Sequence, residues 1–290
     1  MKMKKRFLAL ALAAVMVTVG LGACSSKSSS TSSTSAAATT SKNIKIGVCP
    51  GPYGDMVNQA IAPYLKKHGY TVQLVQFSDY VQPNQALASK AIDANLFQHN
   101  AYLQAFAKDN KLDIAKVGNT PTAGMGIWSN SLKNLKDIPN GAKVALPTDA
   151  VNLARSLALL QTQGLIQVKS GVDITKATAN DVSSNPKNLQ FVPMDAAQIS
   201  RSLDSVSIGM IPGNYAISSK LDYSKALAVE KLAEDYMEVL VVRTSDVNSQ
   251  LGKDLKAALA SDEFHQAIEN KNGSFKDFDK PAWYVQKYGK

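Results

Sequence analysis

Short β-rich runs recur along this chain and alternate with stretches whose apolar residues keep a helical period. Ile44 to Val48 (IKIGV), Thr71 to Phe77 (TVQLVQF), Ile114 to Asn119 (IAKVGN), Lys143 to Pro147 (KVALP), Leu189 to Met194 (LQFVPM) and Val206 to Ile211 (VSIGMI) read as strands. Leu153, Leu157 and Leu160 fall at i, i+4 and i+7 before a Gly164 stop, which predicts a helix. A second stripe, Leu251, Leu255, Ala258 and Leu259, precedes SDEFHQAI, with a capping serine and an acidic first turn. Asp173 to Asn188 is poor in apolar residues and rich in turn formers, so a partly helical surface excursion is expected there. This alternation predicts an α/β fold of mostly parallel sheets covered by helices. No repeat of fixed period is visible, which excludes solenoids and propellers.

The N-terminal segment stands apart from that pattern. Lys2, Lys4, Lys5 and Arg6 precede an uncharged run, Phe7 to Ala23, too short for a membrane span and of the kind found in secretory signals. It ends in LGAC, Leu21 to Cys24, which resembles the bacterial lipobox whose cysteine becomes the lipidated N-terminus. Residues 1–23 are therefore expected to be a lipoprotein signal peptide, with Cys24 as the attachment site. Residues 24–41 are expected to be a tether, since serine, threonine and alanine cannot bury a core. As a flexible coil the tether would span about 20–25 Å. With Cys24 lipidated, Cys49 is the one remaining thiol, no internal disulfide can form, and Cys49 reads as a small packing residue.

The formal charge of +9 falls to +5 without the four basic n-region residues. That excess suits an anionic membrane surface, and with no basic stripe interleaved with aromatics, nucleic-acid binding is discarded. Residues 42–290 suffice for two lobes, with Tyr236 to Thr244 (YMEVLVVRT) returning the chain between them. The expected division is lobe I, residues 42–128 plus 237–290, and lobe II, residues 129–236. Ligands of open α/β sheets bind beyond the carboxyl ends of the strands, which places a cleft where the strand-to-helix loops face each other.

Chemistry-bearing motifs are sparse. GVCPGPYGD, Gly47 to Asp55, is a strand-to-helix turn without the spacing of a dinucleotide or phosphate loop. His68, His99 and His265 are far apart in sequence, no acidic cluster accompanies them, and no nucleophile elbow occurs. No metal, cofactor or catalytic residue is expected. DANLFQHNAYLQAF, Asp93 to Phe106, sets His99 among Phe97, Tyr102 and Phe106. Taken alone, the stretch fits a core histidine with packed aromatics or one wall of a pocket.

FSDYVQPNQALASKAIDANLFQHNAYL (Phe77 to Leu103), VGNT (Val117 to Thr120), NLARSLALLQTQGLI (Asn152 to Ile166) and NPKNLQFV (Asn185 to Val192) resemble the methionine-binding lipoproteins of the NlpA family. With the lipobox and GNYA at Gly213, the likeness covers the mature chain. The resemblance implies a two-lobed periplasmic-binding-protein-like α/β fold of type II, with the ligand cleft between the lobes. It implies the substrate-capturing component of an ABC importer, not an enzyme. The partners would be an amino acid, most readily methionine, a permease with its ATPase, and the extracytoplasmic face of the cell membrane through the lipid. A monomer is expected.

The resemblance also implies site residues. Tyr80, Phe97, His99 and Tyr102 would enclose the thioether, where aromatic faces offer dispersion and sulfur contact. Arg155, one turn from Asn152 near a helix start, would hold the α-carboxylate with it, although a solvated arginine would share that sequence position. The family's ammonium-binding asparagines are replaced by Pro212 and Glu238. Glu238 could meet the ammonium with a full charge, Asn214 could supply an amide, and Gly124 stands where the family has proline. These departures leave open a different amino acid or a short peptide. A surface hydrolase and a purely structural lipoprotein are the remaining classes, and neither has a motif in its favour.

Overall fold

A computed structural model describes residues 42–289, so the expected signal peptide (1–23), Cys24 and the tether (24–41) lie outside the described residues. The chain runs β1 (Lys42–Val48), α1 (Tyr53–Met56), a π-helical turn at Val57–Ile61, α2 (Ala62–Lys67), β2 (Tyr70–Gln76), α3 (Gln82–Ala88), β3 (Ala94–His99), α4 (Asn100–Asn110) and β4 (Ile114–Asn119). It continues through β5 (Gly126–Trp128), β6 (Lys143–Pro147), α5 (Ala150–Thr162), the hairpin β7 (Gln167–Val168) and β8 (Val182–Ser184), β9 (Gln190–Met194), α6 (Ala196–Ile199), β10 (Ile208–Ile211), α7 (Gly213–Ser218) and β11 (Ala228–Val229). Then come β12 (Glu238–Arg243), α8 (Gln250–Leu259), α9 (Asp262–Ile268) and α10 (Ala282–Tyr288).

Two five-stranded sheets result, ordered β2-β1-β3-β12-β4 and β11-β5-β10-β6-β9. Between them the chain crosses twice, after β4 and before β12. Strand-helix-strand units give the parallel pairs β1–β2, β1–β3, β6–β9 and β6–β10. The sheets are nevertheless mixed, a correction to the expectation of mostly parallel pairing, because β5, β11 and β12 pair antiparallel with their neighbours. Two of these, β5 and β12, are the strands that enter a sheet from the other one. No covering helix precedes them to reverse the chain, so they need not run with the rest.

Period-two alternation distributes the core. On β12, Leu240 and Val242 pack toward α8, α9 and α10, whereas Val239 and Val241 pack with Leu87, Leu103 and Ile114 on the opposite face. In the second sheet Val144 and Leu146 meet Leu157 and Leu160 of α5, and Ala145 joins Ile199 and Tyr215 beneath the other face. Ser261 caps α9 as expected, accepting from the Phe264 N–H. The excursion at 173–188 holds two 3₁₀ turns and also β8, whose pairing with β7 the polar sequence does not announce.

Strand β3 lies outside the runs whose alternation reads as strand. All six of its residues are buried, including Asn95, Gln98 and His99, so neither polar alternation nor a continuous apolar run marks it. Its buried amides satisfy one another. Asn84 and Gln98 exchange hydrogen bonds of 2.7 and 2.6 Å, while Asn95 Nδ2 donates to Asn84 Oδ1 at 3.0 Å and Gln98 Nε2 to Asn95 Oδ1 at 3.1 Å. A complete buried network of this kind avoids the penalty of unpaired polar groups and rigidifies the strand.

Candidate functional site

The carboxyl end of β3 faces the first turn of α5 across a narrow, nearly filled cavity, which collects residues from both sheets. All eight residues singled out for ligand binding, Tyr80, Phe97, His99, Tyr102, Asn152, Arg155, Asn214 and Glu238, line it. Gln98, Ala123, Pro212 and Gly213 complete the lining.

Backbone irregularity makes this convergence possible. Opposite β12, Val239 pairs with Gln98 but Leu240 pairs with Leu96, which leaves Phe97 as an extra residue in β3. In a regular strand Gln98 would point away from the side shared by Phe97 and His99; the bulge lets three successive residues border one cavity. Glu238 lies directly opposite His99 in the same ladder.

The wall is aromatic. Tyr80 lies 6.0 Å from Phe97 and 5.8 Å from Tyr102 between ring centroids, and Phe97 meets Tyr102 edge-on at 6.4 Å. Tyr102 Oη donates to the Tyr80 carbonyl at 3.2 Å. His99 belongs to this wall as a neutral ring with a fixed tautomer. Its Nδ1 accepts the Tyr102 N–H (3.2 Å), which leaves Nε2 to donate to Asn152 Oδ1 (3.0 Å). Burial and then the nearby Arg155 charge lower its pKa to about 3, against a smaller opposing effect of the Asn152 bond. His99 therefore stays an uncharged imidazole near neutrality.

Arg155 is buried at the polar end of the cavity, not on the helix exterior. It is also not free. Its Nε donates to Glu230 Oε2 at 2.9 Å, its Nη2 donates to Glu230 Oε1, and Tyr236 lies under the guanidinium at 4.7 Å. Glu230 additionally accepts the Met125 N–H from the crossing segment. One edge of the fork is thus committed, and Nη1 with the outer Nη2 hydrogen remains for a ligand.

The two asparagines are engaged across the gap. Asn152 Nδ2 donates to both Asp149 oxygens (3.0 and 3.1 Å), and Asp149 also caps α5 by accepting the Asn152 N–H. Asn214 accepts from Tyr80 Oη at 2.7 Å and donates to the Pro50 carbonyl at 2.9 Å. The expected free amide of Asn214 is therefore already used, because its position brings it against the β1–α1 turn. Gly51 makes that approach possible, with φ +133° and space for no Cβ, since an added one would stand 2.7 Å from Asn214 Cβ.

Glu238 differs from all of these. Its backbone is tied to Thr120 and Thr122, but its Oε2 is buried without a hydrogen-bond partner. Burial raises its pKa to about 8, with Arg155 lowering it in part. The alternative pairing of Glu238 with Arg155 is not made, because Glu230 takes that place. Glu230 and Tyr236 were not singled out from the sequence. They lie in VEKLAEDY, where three acids and a lysine are close together and nothing in their spacing distinguishes the buried acid from the exposed ones.

Two mixed sheets, two chain crossings and a polar-to-aromatic cavity between them define the two-lobed fold of periplasmic substrate-binding proteins. Solved structures agree with this: the periplasmic substrate-binding protein of an ABC transporter from Coxiella burnetii matches with a TM-score of 0.76 at 38% identity, covering 82% of this chain and 100% of that one. A nutrient-binding protein from Burkholderia cenocepacia bound to methionine matches with a TM-score of 0.74 at 38% identity, covering 79% of this chain and 96% of that one. The family model described as NlpA lipoprotein matches residues 44–283, and the chain belongs to that family. Among curated relatives, the D-methionine-binding lipoprotein MetQ of Escherichia coli K12 is 38% identical over 228 residues, which is 78% of this chain and 84% of the relative. A probable D-methionine-binding lipoprotein MetQ of Vibrio cholerae shows the same identity and coverage.

Proposed function

We propose that this protein is the lipid-anchored substrate-binding component of an ABC importer and that it captures methionine in the cavity between its lobes. Lobe I would comprise about residues 42–128 and 237–290 and lobe II the residues between, with the protein acting as a monomer held at the extracytoplasmic face through Cys24. The observation that carries the reading is the cavity itself: a ring-lined wall for a thioether, with a guanidinium and an unpartnered carboxyl at its polar end. The names of the family's relatives support the same ligand.

Mechanistically, the α-carboxylate would dock on the free Nη1 side of Arg155 and the α-ammonium would face Glu238. The side chain would run between Tyr80, Phe97 and Tyr102, where a flexible thioether gains contact on several ring faces. Each lobe contributes part of this site, so ligand favours the closed arrangement through contacts that an open one lacks. The permease would recognise that arrangement. The bonds His99–Asn152, Tyr80–Asn214 and Asn214–Pro50 would fasten closure from both sides.

Titration calorimetry against both enantiomers of methionine and a panel of other amino acids and dipeptides tests the reading. Methionine is expected to bind, and Arg155→Ala to weaken it at least ~100-fold, since charge-assisted bonds to a buried guanidinium are worth about 1.5–3 kcal/mol each. No heat with methionine, beside tight binding of another compound, would overturn the ligand assignment. Cys24→Ala is expected to move the protein from the membrane to the soluble fraction, measured by fractionation.

A further inference from the structure

The Arg155–Glu230 pair sits where both crossings join the second sheet. The ladder steps Ala228–Ile127 and Val229–Gly126 hold β11 to β5, and Glu230 with Met125 is the next step along it. There the Glu230 N–H donates to the Met125 carbonyl at 3.0 Å, and the Glu230 carboxylate accepts the Met125 N–H in return. Arg155 belongs to α5, which packs on the same sheet through Leu157 and Leu160, and the next residue, Ser156, donates from Oγ to Met125 Sδ at 3.5 Å. None of these bonds reaches across the cavity. The bonds that do, His99–Asn152 and Tyr80–Asn214, can break without touching the pair. Arg155 is therefore matched by Glu230 whether the two sheets stand close together or apart.

This pairing changes what the guanidinium offers. Arg155 is the only cation among the described residues that line the cavity, and a carboxylate docking on its Nη1 side finds a second carboxylate already on the opposite edge. His99 is uncharged near neutrality, and the carboxyl groups of Asp149 and Glu238, on both of which the Arg155 charge acts, can add no positive charge. Lys231 borders the outer side of the pair but is exposed, where water and salt screen it. The corner thus supplies directed N–H donors without a net positive charge. A bare carboxylate would leave an uncompensated negative charge in a poorly hydrated cavity, which is costly, whereas a zwitterion brings its own cation.

We propose that Glu230 is a specificity-determining residue: by neutralising Arg155 it restricts the site to carboxylates that carry a cation in the same molecule. This rests on the amino-acid reading above. Glu230 acts through Arg155 and touches no ligand, and it does so from the second sheet alone, before the cavity shuts. Contact with Glu238 would orient the ligand's cation, but the need for one arises because Glu230 has already cancelled the charge of Arg155.

The test is competition calorimetry of the full chain with methionine and with 4-(methylthio)butanoate, the same molecule without its amino group. The natural protein is expected to favour methionine at least ~100-fold, since the analogue forgoes both its charge-assisted bond and its charge balance. Glu230→Gln keeps the shape and an acceptor but restores the charge of Arg155. It should narrow the preference at least ~10-fold, because a unit charge a few ångström away in a poorly hydrated site acts far more strongly than through bulk water. Glu230→Asp keeps the charge and should leave the preference unchanged. The double variant Arg155→Gln/Glu230→Gln, which strands no buried charge, should bind both ligands more weakly with the natural preference retained. Circular dichroism melts verify folding, and the ratio of two affinities is read from folded molecules only. A preference unchanged by Glu230→Gln, narrowed equally by Glu230→Asp, or widened in the double variant would overturn the inference while leaving the amino-acid reading intact. So would natural protein that binds 4-(methylthio)butanoate as tightly as methionine. No heat with methionine would overturn that reading and this inference together.

Discussion

Arg155 and Glu230 present the clearest energetic question at the level of single residues. Their side chains are 5% and 9% exposed, so each charge depends on the other, and removing one partner strands the second in a poorly hydrated place. Loss of a single partner from a buried pair typically costs about 3–5 kcal/mol, while loss of both often costs little more or even less. Arg155→Ala and Glu230→Ala are each expected to lower the denaturant midpoint strongly, and the double variant to be no worse than either single one, as a double-mutant cycle in urea would measure. Glu238 makes a second prediction, independent of ligand. Its folded value of about 8 lies above the ordinary 4.5, so between those pH values the folded state retains a proton that the unfolded state has released. Stability must then fall as pH rises from about 4.5 to 8, and below that window the penalty vanishes. Glu238→Gln should therefore raise the melting temperature of the empty protein by a few degrees at pH 8, and by much less at pH 5, at roughly 2–4 °C per kcal/mol for a protein of this size. Both residues were visible as letters, yet only Glu238 could be suspected in advance, because it stands where the resemblance implies an amide. The environment that gives Glu230 its role comes from a segment 75 residues away from Arg155.

Elements differ in how openly the sequence declares them. Strands β1, β2, β4, β6, β9, β10 and β12 follow from alternation or short apolar runs, and α5, α8 and α9 from the helical period and caps. Strand β3 does not, because the centre of a sheet buries both faces and three of its positions are polar. What the buried amides gain there is a rigid platform for the bulge at Phe97, and the bulge aims the ring-lined wall. Close approach of the second sheet's α7 to the crossing segment is equally hidden. A Cβ on Gly213 would stand 2.1 Å from the Ala123 carbonyl oxygen, so the start of α7 and the crossing segment meet backbone to backbone beside the cavity. Gly213→Ala is expected to push them apart and to weaken methionine binding at least ~10-fold, since a misplacement of about 1 Å is costly at a preorganised site. Isothermal titration checks this, and a binding constant unchanged from the natural protein would contradict the role given to that contact.

For the whole molecule, the decisive property is that two separately packed sheets share one site through two chain crossings. Such an arrangement can hinge at the crossings without disturbing either core, which is the repertoire expected of a ligand-closed binding protein. Small-angle scattering should show the radius of gyration fall when methionine is added to the natural protein and stay constant for Arg155→Ala. The sequence by itself determined the α/β class and the order of most elements, while the residues expected to line the cavity came from the family resemblance carried by runs such as FQHNAY and NLARS. These are properties of short windows, where period, capping and composition act over a few residues. Only the tertiary structure decided that the sheets are mixed, that β3 is a central strand, that Asn152 and Asn214 are committed to partners across the gap, and that Arg155 is matched by Glu230 while Glu238 is left unmatched. Each of these depends on which distant side chain arrives within about 3 Å of which, and on how much water is excluded when it does, and neither quantity is written in any local stretch of the chain.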